Sequence, residues 1–318
     1  NYLENEDNVY YFNSNEELDV LLKKHNINKI IMSQVLHPNN FYKCIENFNP
    51  KDIYFLAHGI GNPVIDKNIY TWWYETMRIS KINLILLCKT QYEVVSPHNK
   101  NVHKIGTLPQ IDNLSLKECK KNTILIIDQG NYNLGNQLHI QNRKQIFDYI
   151  AQHYDYPIYY KPYDNCSDSI IHNYPNITNL INKNVLTYDY FDSDIIICIN
   201  FGTSYIEALL SNSKVIFIIL PLLSDKQLTQ SKILSPSSHM LFAANVATTI
   251  NKGKYPHLLI VSNFNQLNHA LTITKNNSEY FNSEEYLKDK NQLIKDYIGE
   301  YKPDFNKQLI EIIEKNSL

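Results

Sequence analysis

Residues 194–210 read DIIICINFGTSYIEALL, and the stretch runs on into SKVIFIILP. Gly202, Thr203 and Ser204 follow a short β-branched apolar run and precede a helix-forming run, residues 205–210, with Ile206, Leu209 and Leu210 on one face. A loop in that position lies at a helix N-terminus. Unpaired N–H groups and the positive end of the helix dipole there favour an anion such as a phosphate. Gly202 lets the backbone come close, and Thr203 and Ser204 add hydroxyl donors. Glu207, one turn inside, is placed to accept hydrogen bonds from the two hydroxyls of a ribose. Ser204-Tyr205-Ile206-Glu207 also spells a capping box, in which Ser and Glu satisfy backbone donors and bind nothing. On these residues alone both readings stay open.

Three more side chains with chemistry to offer follow strand-like runs directly. His58 ends the run DIYFLA, and an imidazole can take a proton from an acceptor hydroxyl as general base. The plainer reading is a histidine that caps the following loop. Asp128 ends the run TILIID and is either an alternative base or a turn-forming residue. Lys161 follows residues 157–160 and can neutralise a diphosphate leaving group, or can simply be a solvated lysine at a strand end. Trp72 and Trp73 line an acceptor side or belong to a core. Asp189, Asp192 and Asp194 precede a strand and are not read as a metal clamp; neither a metal nor another cofactor is expected.

Composition narrows the classes. The chain has 318 residues, enough for two ordinary domains, and 43% hydrophobic residues, which excludes global disorder. A net charge of −2 leaves no basic footprint for nucleic acid. The 24 tyrosines against 8 glycines, with many Asn, Ile and Lys, read as a coding bias rather than a functional signal. Five cysteines at 44, 88, 119, 166 and 198 show neither C-x-x-C nor zinc spacing, which suggests a reducing compartment. No apolar run approaches the length of a membrane span. A cytoplasmic protein is expected, with peripheral association at the inner face of the membrane left open.

The elements that must position these side chains alternate. Strands are predicted at residues 8–12, 27–32, 52–57, 83–88 and 102–106, with helices at 16–24, 39–48 and 70–80. Residues 108–122 lack an apolar period and read as a linker. The pattern restarts with strands at 123–127, 157–160, 185–188, 194–199, 215–220 and 258–261. Helices are predicted at 140–152, 177–182 and 205–210, and a long loop over 222–249 holds a short helix around 240–246. Amphipathic helices at 284–298 and 305–315 close the chain. The expected fold is α/β with two Rossmann-like domains facing across a cleft, residues 1–115 and 116–318. In such sheets ligands bind beyond the carboxyl ends of strands, where His58, Asp128, Lys161 and the Gly202 loop all fall.

In this order and spacing, His58-Gly59, residues 106–112 (GTLPQID), Lys161-Pro162 and the run through Gly202-Thr203-Ser204 to Glu207 resemble GT-B glycosyltransferases. Among these they look most like the CDP-glycerol glycerophosphotransferase and capsule or teichoic-acid polymerase group. The likeness spans residues 52–220. It departs from that group at Ala57, where the family has Trp, at Tyr163, where the family has a phosphate-binding His, and at Glu207 in place of Asp. The resemblance implies metal-independent transfer of a sugar from a nucleotide-activated donor, linked to CDP, CMP, UDP or GDP, to a surface-glycan or capsule-type acceptor. His58 or Asp128 would act as base, and Lys161, Gly202, Thr203, Ser204 and Glu207 would hold the donor. The first domain would take the acceptor and the second the nucleotide. Polyol-phosphate transfer from a CDP-glycerol-type donor, sialyl transfer from CMP-sialic acid, 2-epimerisation of a sugar nucleotide and a non-catalytic GT-B-like protein are the alternatives.

Overall fold

In the computed structural model, which describes residues 15–32, 50–56, 82–106, 118–128, 137–162, 174–180, 187–200, 203–220, 222, 253–300, 302 and 304–315, two parallel sheets carry the fold. The first contains β1 (Ile30–Met32), β2 (Ile53–Leu56), β3 (Asn83–Leu86) and β4 (Val102–Lys104), side by side in chain order. The helices α1 (Asn15–Lys24) and α2 (Lys89–Val95) precede β1 and β4. The residues of β3 are all buried, as expected of a parallel strand covered on both faces. Its one polar member, Asn83, is satisfied because Nδ2 donates to the carbonyls of Lys51 at 2.7 Å and Ile53 at 3.2 Å.

The second sheet contains β5 (Lys120–Asp128), β6 (Ile158–Lys161), β7 (Ile177–Asn179), β8 (Ser193–Ile199), β9 (Lys214–Ile218) and β10 (Leu259–Val261). Its order is β10-β9-β8-β5-β6-β7. The chain steps outward from β5 to β7, returns to lay β8 against the free side of β5, and steps outward again to β10. The direction of winding therefore reverses between β5 and β8. Both central strands are runs of Ile and Leu, and Ile124, Leu125, Ile126 and Ile195 to Ile199 are fully buried. The helices are α3 (Gln137–His153), α4 (Thr203–Leu210), α5 (Phe264–Asn276), α6 (Glu284–Tyr297) and α7 (Phe305–Lys315). Among the described residues no helix is long and apolar enough to cross a membrane.

The chain's end returns to its beginning. Phe305, Leu309, Ile312 and Ile313 of α7 pack on Tyr54, Ile85 and Ile105 of the first half. The segment that leads into α7 crosses Gly106, whose carbonyl accepts from Lys302 N at 2.9 Å. A Cβ on Gly106 would stand 2.6 Å from the carbonyl oxygen of Glu300, so this approach requires glycine. The other closing helix, α6, touches both α2 and α4.

Where local signals compete, the structure departs from the sequence pattern. The helix expected at 177–182 is absent over its described part: Ile177–Asn179 is an edge strand paired to β6, as its β-branched pair Ile177-Thr178 favours. The strand expected at 185–188 is also absent over its described end, since Thr187–Tyr190 forms a 3₁₀ turn. Tyr190 there packs its ring on Tyr159 at 4.6 Å, and the buried Phe191 turns the chain into β8. The first strand of the second sheet starts at Lys120, inside the expected linker. Two helices were not expected, α2 and α5. The second carries a plain signal: Asn263 caps it by accepting from Gln266 N, and Leu267, Ala270, Leu271 and Thr274 form its buried stripe. The elements expected at 8–12, 39–48, 70–80 and 240–246 lie outside the described residues.

Candidate donor site at the carboxyl edge of the second sheet

Register levels the strand ends on this edge. Ile127 lies opposite Lys161, and Asp128 lies opposite Ile199. Asp128, Lys161 and the start of α4 thus sit on neighbouring strand ends around the place where the winding reverses, the position at which open α/β sheets bind ligands.

Asp128 is buried, and so is Arg143 from the first half of α3. The guanidinium grips the carboxylate with two bonds, Nε to Oδ2 at 2.5 Å and Nη2 to Oδ1 at 2.9 Å. The hydroxyl of Tyr160 in β6 donates to the same Oδ2 at 3.0 Å. This two-pronged geometry needs the planar fork of arginine, which a lysine lacks. With three donors on it, Asp128 anchors α3 and β6 to the end of β5. Sequence reasoning missed Arg143. The available signal was compositional, because only two of the 30 Lys and Arg residues are arginine, Arg78 and Arg143.

Asn200, directly after β8, is in the left-handed region at φ 64°, which asparagine tolerates better than most residues. It ties β8 to the end of β9: its N–H donates to Ile218 O at 2.8 Å, and its Oδ1 accepts from Leu220 N at 3.1 Å. Two residues on, Leu222 N donates to Oδ1 of the buried Asn142 at 2.7 Å. Asn142 precedes Arg143 on α3.

The helix α4 begins at Thr203, so Ser204 and Glu207 both lie inside it. Ser204 is 7% and Glu207 5% exposed. Burial, and after it the charge of Glu207, pushes the Cys198 thiol well up. The ring of Tyr205 stacks on Phe217 at 4.4 Å and holds α4 on the sheet. In so enclosed a setting a hydrogen bond to a ligand hydroxyl is stronger than at the surface. Lys161 is half-buried and, among the described residues, forms no ion pair, so its charge is available to an anion. His58, Gly202, Tyr163 and the side chain of Thr203 lie outside the described residues.

No family model matches the chain, and no curated protein matches its sequence. Among solved structures, Arabidopsis thaliana UGT89C1 complexed with UDP is similar with a TM-score of 0.53 and 11% identity, over 96% of this chain and 78% of that one. A mutant of S. aureus TarM in complex with fondaparinux, alpha-GlcNAc-glycerol and UDP is similar with a TM-score of 0.50 and 14% identity, over 93% of this chain. The protein spans only 58% of that TarM chain. At such identities the likeness establishes the fold, which is that of GT-B glycosyltransferases: two parallel-sheet α/β halves with closing helices.

Proposed function

We propose that the protein transfers a sugar from a nucleotide-activated donor to a surface-glycan or capsule-type acceptor, without a metal. The observation that carries this reading is that Lys161 ends β6 and that α4, with Ser204 and Glu207, follows β8, on the two sides of the reversal point of the second sheet, in a chain with the GT-B fold. UDP is the favoured nucleotide, because the two similar structures above hold it. Donors linked to CDP, CMP or GDP rank below it. The N-terminus of α4, with Gly202, Thr203 and Ser204, takes the phosphates, Lys161 offsets charge on the departing diphosphate, and Glu207 receives the ribose hydroxyls. His58 is the proposed base toward the acceptor, and Asp128, engaged by Arg143, is second to it. Residues 1–115 form the acceptor domain and residues 116–318 the donor domain, apart from α7, which packs on the first sheet.

The test is nucleotide release from UDP-, CDP-, CMP- and GDP-linked sugars with and without a glycan acceptor. Release that depends on the acceptor is the expected result. Interconversion of the sugar nucleotide without acceptor would mark an epimerase, and failure to bind any nucleotide would mark a non-catalytic protein.

A further inference from the structure

Asn142 and Arg143 are consecutive residues on α3, both buried, and both spend their side chains on other elements. Arg143 grips Asp128 at the end of β5, and through Asp128 reaches Tyr160 of β6, the residue before Lys161. Asn142 accepts from the backbone of Leu222, beyond β9. Leu220, two residues earlier, donates to Asn200 at the end of β8, three residues before α4. One buried network thus joins the ends of β5, β6, β8 and β9. All its side-chain anchors other than Asn200, Asp128 and Tyr160 come from a single turn of α3.

We infer that Asn142 and Arg143 are positioning residues for the donor site: they set the distance between Lys161 on one side of the reversal point and α4 on the other. This rests on the function proposed above. The reason for assigning them a positioning role, beyond holding the fold together, is where they act. The hydrophobic core already fixes the bodies of these strands, whereas the bonds of Asn142 and Arg143 described above go to the end of β5 and to the chain just beyond β9. Buried hydrogen bonds with the planar geometry of the Arg143 fork restrict the arrangement of the groups they join. A site whose charges are set in advance avoids the cost of ordering them around the ligand.

The test compares UDP affinity by calorimetry in the full chain and in four variants, each measured well below its own melting temperature. Asn142→Leu removes the acceptor for Leu222 N, and Asn142→Asp keeps it. Arg143→Lys keeps the charge without the fork, and Tyr160→Phe removes one neutral donor from Asp128 without touching the ion pair. Tyr154→Phe serves as the control. It loses buried bonds to Leu271 O at 2.9 Å and to Thr274 Oγ1 at 2.5 Å at the opposite end of α3, remote from the site. Expected are about tenfold weaker binding in Asn142→Leu and Arg143→Lys, a smaller loss in Tyr160→Phe, and recovery to within about threefold in Asn142→Asp. Tyr154→Phe should melt earlier and bind UDP as the unaltered chain does. Equal affinity in Asn142→Leu, Arg143→Lys and the unaltered chain would overturn the inference while leaving the donor site in place. So would a loss in Tyr154→Phe as large as theirs, because affinity would then simply follow stability. If the unaltered chain binds neither UDP nor CDP, CMP or GDP, the donor site itself falls and the inference with it.

Discussion

The hydroxyl of Tyr54, in the middle of the first sheet, lies 3.4 Å from the carbonyl oxygen of Ile313 in the last helix, 259 residues along the chain, and donates to it. The same carbonyl accepts from Lys29 Nζ at 3.2 Å. The last helix is therefore part of the first half's core. Leu309 and Ile312 cover a sheet face whose residues Tyr54 and Ile85 would otherwise meet water. Leu309→Ala should cost about 1–2 kcal/mol, below the 2–5 of a fully buried leucine because Leu309 is only half-buried. Urea denaturation followed by tyrosine fluorescence reads this. Ending the chain at residue 303 should loosen the first sheet more than the second.

Asp128 and Arg143 form a buried pair whose partners are both nearly inaccessible, at 3% and 2% side-chain exposure. Asp128→Asn leaves a buried guanidinium without its counter-charge and should cost about 3–5 kcal/mol. The double variant Asp128→Leu with Arg143→Met should recover most of that in a melting experiment, because apolar side chains of similar volume need no partner. If the double variant were as unstable as the single one, the pair would be holding the fold through more than mutual neutralisation.

The pH dependence has one named contributor. Burial holds His103 of β4 below its ordinary value of 6.5. Below 6.5 the unfolded chain takes up a proton that folded His103 still refuses, so this group lowers stability as pH falls, until its folded pKa is passed. Replacing it with a side chain that does not titrate, His103→Asn, should flatten the fall in unfolding free energy between about pH 7 and pH 5. An unchanged slope would assign the effect to other groups.

What the sequence disclosed and what it hid have physical causes. Ile124 to Ile127 and Ile195 to Ile199 are apolar at every position, as only strands buried on both faces can be, and so the second sheet and its strand ends were legible. The start of α4 shortly after β8 followed from the same reading. The pairing of Asp128 with Arg143 was not legible, because it depends on which turn of α3 passes over the end of β5, a tertiary relation that periodicity does not encode. Short segments also failed. Residues 177–182 have enough apolar character for either a helix or a strand, and pairing with β6 decides between them. Asn263 and the stripe it caps in α5 were readable signals that were passed over.

The proposed base gives a separable prediction. In sequence His58 comes two residues after β2 of the first sheet, whereas the proposed donor site belongs to the second sheet. His58→Ala should leave UDP affinity nearly intact and lower transfer about 10²–10⁴-fold, with loss of the acidic limb of the pH–rate profile. Turnover within a few-fold of the unaltered chain would remove His58 from the mechanism.

Glu207 carries the central claim, that the carboxyl edge of the second sheet holds a nucleotide by its ribose and phosphates. It is buried inside α4, the helix that follows β8 on the reversal side of the second sheet. The most direct measurement is titration of UDP into the unaltered chain and into Glu207→Gln, with each protein's melting temperature recorded beside it. The account predicts binding to the former and a loss of about 1–3 kcal/mol of affinity in Glu207→Gln, the cost of mismatched polar partners, with the variant still folded. UDP binding of equal strength in both proteins, with only the melting temperature lowered in Glu207→Gln, would contradict it.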